Sequence, residues 1–200
     1  MELFTEGQKI ALIFSKDSNL VEMTCDIEKI FDDRLDLILP QYFMRYIEFL
    51  QVGQTLTAKA FSKLGTIDFN TIIISSPLED CFSIELDYNS LNLTPGEELP
   101  MINAIEKIEI QKKDINLKTK TFELSTEYMK FYSDEVFELD EVFDCVLYLP
   151  KDYGIIKFKA FITERDSIYD NEYTASYQTM TEVDRQTLLY YMYMYSKDTD

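Results

Sequence analysis

The strongest constraint on this chain is a period of two. "KIALIFS" puts Ile10, Leu12 and Phe14 on one face, and "VEMTCDI" does the same with Val21, Met23, Cys25 and Ile27. "LDLILP" repeats the alternation with Leu35, Leu37 and Leu39, until Pro40, which has no N–H for a ladder, stops it. Side chains spaced in this way line one face of a sheet and cannot make a helical stripe. The period changes at Tyr42, Tyr46 and Phe49, which with Phe43, Ile47 and Leu50 predict a short helix ending near Gly53. Strands resume with "TLTAKAF", "TIDFNTIII" and "FSIEL". Strands of this length between short polar turns predict a small barrel rather than a parallel sheet.

Asn, Ser, Pro and Gly cluster in "NSLNLTPGEELP", where Pro95-Gly96 signals a turn. Alternation returns afterwards in "KIEI", "INLKTKTFEL", "KFYS", "FDCVLYLP", "IIKFKAFIT" and "EYTASYQTM". The expected organisation is all-β with a C-terminal helix: two small antiparallel β-barrels in tandem, over 1–90 and 101–200, joined by a linker at 91–100. Thr181 is the expected N-cap of the closing helix, with Asp184 three residues on in the place a capping box gives to Glu. Leu188, Met192 and Tyr195 can form the stripe that packs on a barrel. Leu189, Tyr190, Tyr193 and Met194 then face elsewhere, either into further burial or onto a surface for a protein partner or a second copy of the chain.

Composition narrows the chemistry. The net charge of −18 is spread along all 200 residues, which disfavours nucleic acid and anionic lipid as partners. The absence of histidine removes the commonest general base and the commonest metal ligand together. Cys25, Cys81 and Cys145 lie far apart among strand-forming residues, as buried free thiols of a reducing cytoplasm would. They make no zinc-binding spacing and have no neighbouring base, so no metal and no catalytic residue is expected. "MELFTEGQKI" lacks the basic start and apolar run of a signal peptide, and no apolar run reaches the length of a membrane span. "SDEVFELDEVFD" is dense in acid but lacks the glycine and ordered spacing of a calcium loop, so it reads as a solvated loop.

In its order of segments the chain resembles a known family. Residues 4–88, with "EGQKIALIF", "DDRLDLILP", "VGQTLTAKAF", "GTIDFNTIIISSP" and "CFSIELD", resemble the N-terminal domain of bacterial flagellar brake proteins. The remainder, with "DCVLYLPKDYGIIKFKAFITE" and "SYQTMTEVDRQTLLYYM", resembles a PilZ domain, a six-stranded barrel followed by a helix. Members of that family usually bind cyclic di-GMP through R-x-x-x-R ahead of the first barrel strand and D/N-x-S-x-x-G at a strand-to-strand bend. Arginine offers a planar fork of donors that lysine cannot copy, and glycine lets backbone and ligand approach without a Cβ between them.

Laid onto this chain, the first motif falls on "ELPMINAIEKIEI", with Asn103 and Lys107 in the two arginine positions. No arginine occurs between Arg45 and Arg165, so no shift of register restores the fork. The second falls on "ELSTEYM": Glu123 stands for Asp or Asn, Ser125 is kept, and Tyr128 replaces glycine. Tyr128 is expected to fill the ligand's space, and Glu123 with Glu127 to add negative charge. Losing both guanidinium forks removes about 5 kcal/mol of binding, several thousand-fold in affinity. The resemblance therefore implies a non-enzymatic regulatory protein of motility or second-messenger signalling, with cyclic di-GMP absent or weak as a ligand and a protein partner or homodimer instead. The rival expectation is a receptor with an atypical site, where Lys107, Ser125 and the cluster Lys112, Lys113, Lys118 and Lys120 hold cyclic di-GMP or another anion.

Overall fold

The computed structural model describes residues 4–16, 19–62, 65–78, 82–96, 98–113, 115–150, 153–166 and 171–199. Cys81 lies outside them. The chain divides into two compact units, 1–98 and 99–200.

In the first unit the alternating runs become β1 (Lys9–Lys16), β2 (Asn19–Ile30), β3 (Arg34–Ile38), β4 (Thr55–Ser62), β5 (Gly65–Ser75) and β6 (Ser83–Asp87). They close as an antiparallel barrel in the order β4-β1-β2-β3-β6-β5, with β5 returning to β4. The register explains the sequence pattern: Ile10 stands opposite Cys25 and Leu12 opposite Met23, and all four are buried. Burying each such aliphatic side chain contributes roughly 1.5–3 kcal/mol. The short helix expected to end near Gly53 is present as a 3-10 helix over Gln41–Phe49. Gly53 follows it with φ +83, a left-handed conformation that glycine adopts without a Cβ penalty, and its N–H donates to the Ile73 carbonyl.

The linker expected at 91–100 is in part a strand. β7 (Asn92–Pro95) pairs with residues 67–70 of β5, on the edge that β6 leaves free further along. Its four residues are all exposed, so backbone pairing and the hydrogen bond from Thr94 Oγ1 to the Asp68 carbonyl hold it, and no apolar alternation marks it in the sequence.

In the second unit β8 (Lys107–Lys112), β9 (Ile115–Leu124), β10 (Tyr128–Tyr132), β11 (Val142–Tyr148), β12 (Ile155–Arg165) and β13 (Glu172–Met180) form a closed barrel in the order β10-β13-β12-β11-β8-β9. Its core centres on Phe131, whose ring lies 5.6 Å from Phe137, 5.7 Å from Tyr173 and 6.1 Å from Phe143. Helix α1 (Glu182–Thr199) begins as the sequence predicts: Thr181 Oγ1 accepts the Asp184 N–H at 3.1 Å and donates to the Asp184 carboxylate. Leu188 and Met192 enter the barrel core together with Tyr191, and Tyr195 packs at its margin.

The other helix positions need correction as a surface. Leu189 and Tyr193 are buried, and Tyr190 and Met194 are half-buried. A contiguous exposed stripe of these four therefore does not exist. The reason is that "LLYYMYMY" has no polar side to turn outward, and burial takes up most of it.

Candidate functional site

The segment ahead of β8, residues 99–106, runs along the barrel as a pinned strap. Ile102 exchanges two 2.9 Å backbone hydrogen bonds with Leu124, at the end of β9. Thr121 Oγ1 donates to the Ala104 carbonyl, and the Thr121 N–H donates to the Glu106 carbonyl at 2.9 Å. From the other side α1 holds the strap by two phenols. Tyr191 donates to the Glu106 carboxylate, and Tyr195 donates to the Asn103 carbonyl at 2.7 Å. Burial first, then Glu106, push the Tyr191 phenol far above the ordinary range, so it remains a donor.

The β9–β10 bend is closed on itself. The Ser125 N–H donates to the Tyr128 carbonyl, and Ser125 Oγ accepts the N–H groups of Glu127 (3.1 Å) and Tyr128 (3.0 Å). A serine hydroxyl two residues ahead of a backbone N–H makes this turn without glycine. Tyr128 then begins β10, and its hydroxyl donates to Met101 Sδ of the strap at 3.3 Å. Burial, followed by the neighbouring Glu123, raises the Tyr128 phenol.

Glu123 does not stand as a free negative charge. It faces Lys130 across the β9–β10 ladder, and the two form a 2.8 Å ion pair. That hydrogen bond leads the causes that raise Lys130 above the ordinary ammonium range. Glu127 remains at the exposed tip of the bend.

Of the sequence-derived residues, the structure thus brings Glu123, Ser125 and Tyr128 together at one bend. Asn103 is on the strap that the bend touches through Met101, with its backbone engaged by α1. Lys107 goes elsewhere: it starts β8 with its side chain exposed, opposite Lys120 on β9 and Tyr148 on β11. The lysine cluster also divides. Lys112 pairs with Glu141 at 2.8 Å, lies 4.6 Å over the Phe137 ring and donates to the Val136 carbonyl, so it is a structural cation. Lys118 pairs with Glu109 at 2.9 Å. Lys130 and Met101 were not singled out by sequence. The hairpin register signals the first, since a bend at Ser125 puts Leu124 opposite Met129 and therefore Glu123 opposite Lys130. The second has no local signal.

A depression of about 260 Å³ beside Lys130 is lined by Phe122, Arg165 and Tyr173 and by the carboxylates Glu164, Asp166 and Glu172. Its acid groups outnumber its cations. Among the described residues no three metal-ligating side chains converge, and no helix is long and apolar enough to cross a membrane.

No family model matches the sequence, and no curated protein matches it. Among solved structures the chain is similar to the Bacillus subtilis inhibitor of motility MotI/DgrA, at 15% identity and TM-score 0.45, covering 98% of this chain and 99% of that one. It is similar to Escherichia coli YcgR, solved in complex with c-di-GMP, at 14% identity and TM-score 0.45, covering 96% and 85%. It is also similar to Borreliella burgdorferi PlzA, solved in complex with c-di-GMP, at 11% identity and TM-score 0.39, covering 92% and 86%. These are PilZ-domain proteins with brake-type architecture, the family that the sequence motifs resemble.

Proposed function

We propose that this protein is a non-enzymatic regulatory adaptor that works through protein contacts in motility or second-messenger signalling, and that its PilZ-type bend has lost cyclic di-GMP. The observation that carries the reading is the self-satisfied bend. Ser125 spends its hydroxyl on two backbone donors, Tyr128 is tied to Met101, and Glu123 is matched by Lys130. The residues present do not fit a doubly anionic dinucleotide. Among the described residues of the bend itself there is no guanidinium fork, and Lys130 is already neutralised by a carboxylate 2.8 Å away. Lys107, which takes the second arginine position, starts another strand, β8, where it stands opposite Lys120. Partner capture from the source organism, with and without added cyclic di-GMP, tests the adaptor role. Equal recovery of the same partner in both conditions is expected, and recovery that depends on the nucleotide overturns the reading.

A further inference from the structure

One part of the outer face of the second barrel, across β9, β8, β11 and β12, carries more lysine than acid. The register across β9, β8, β11 and β12 sets Lys120, Lys107, Tyr148 and Ile155 in one row, with Lys107 directly opposite Lys120. Two residues along, Lys118, Glu109, Val146 and Lys157 make the next row. Lys118 is matched by Glu109, and further along Lys159 is matched by Asp144 at 3.5 Å. Lys107, Lys120 and Lys157 are exposed, and among the described residues none of them has an acidic partner within ion-pair distance. Like charges directly opposite on a ladder destabilise it, so the Lys107–Lys120 pair is a local cost that folding does not explain. Between these lysines lie apolar groups: Tyr148 and Val146 are half-buried and Ile155 is exposed. A shallow depression of about 570 Å³ opens beside Tyr148, lined by Lys107, Lys118 and Lys120 and by Glu109, which is matched to Lys118.

From this arrangement we infer that the face formed by Lys107, Lys120 and Lys157 around Tyr148, Val146 and Ile155 docks an acidic protein segment that carries an apolar or aromatic anchor. The inference names the partner chemistry for the adaptor reading and rests on it. An apolar centre with a charged rim is the anatomy of a protein interface. Rows about 7 Å apart along the strands match alternate residues of an extended segment, so carboxylates at every second position reach successive rows. The net charge of −18 does not prevent this, because at physiological salt charges beyond about 8 Å are screened and the local lysines dominate. A nucleic acid would continue past three lysines onto an acidic surface. A two-fold pairing with a second copy would set this face against itself, lysine on lysine.

The test is fluorescence anisotropy of the full chain with a labelled copolymer of Glu and Tyr, alongside a Lys–Tyr copolymer and a DNA duplex. The Glu–Tyr polymer is expected to bind, to weaken about tenfold with Lys107→Glu/Lys120→Glu, and to weaken as salt rises. Tyr148→Ala, with circular dichroism unchanged, is expected to weaken it several-fold. No binding, equal binding by the charge-reversed variant, or tighter binding of either comparator overturns the inference. Adding cyclic di-GMP to the same samples separates the two readings. Nucleotide binding defeats the nucleotide-free adaptor whatever the polymer does, whereas polymer failure without nucleotide binding defeats the docking face alone.

Discussion

Lys130→Met isolates the pair that rewrites the bend. The substitution keeps an unbranched chain against the barrel and removes the cation from Glu123, whose side chain is 11% exposed. Breaking a fully buried ion pair costs about 3–5 kcal/mol, but Lys130 is 34% exposed and water shares its charge, so a loss near 2 kcal/mol is expected. With a urea slope of about 2 kcal/mol/M, the unfolding midpoint falls by about 1 M. Urea titration of the full chain, followed by circular dichroism, measures this. Replacing both partners, as Lys130→Met with Glu123→Met, leaves no charge stranded and should recover most of the loss. Because Lys130 is raised in the folded state, its contribution is complete below the ordinary lysine pKa and disappears only as pH climbs through the raised value. The deficit of the single variant should therefore stay level from about pH 6 to 9 and shrink only as pH climbs through the raised lysine value. A single variant as stable as the parent, or a double variant no better than the single one, refutes the assignment.

Further substitutions probe the frame around the bend. Tyr191→Phe removes the hydrogen bond to the Glu106 carboxylate and is expected to destabilise the second unit by about 1.5–3 kcal/mol, read by the same titration. Thr181→Ala should cost about 1 kcal/mol through loss of the α1 cap, with Thr181→Ser close to the parent. Cys25 and Cys145 are buried with their thiols pushed well above the ordinary range by desolvation. In a Cys81→Ser background, a disulfide reagent near neutral pH should therefore label neither until denaturant is added.

Both barrels were legible because half-buried strands must alternate, and Ile10, Leu12, Met23 and Cys25 are where alternation places them. Thr181 was legible because a cap is a local event within one helical turn. β7 was not, since Asn92–Pro95 are all exposed and pair mainly through their backbone. The split of the lysines was beyond sequence for a similar reason: Lys112 turns to Glu141, twenty-nine residues away, and Lys107 meets Lys120 only through the β8–β9 ladder. Periodicity could say that Leu189 and Tyr193 leave the Leu188–Met192 stripe, but which of those positions are buried is a tertiary outcome. Glu123, Ser125 and Tyr128 share one bend because they are close in sequence, while the partner that neutralises Glu123 emerges only from the register.

Isothermal titration of the full chain with cyclic di-GMP at physiological salt bears most directly on the claim that the bend no longer takes the nucleotide. A flat titration up to high micromolar ligand is the predicted result. Saturable micromolar binding that Tyr128→Ala or Ser125→Ala alters would contradict it.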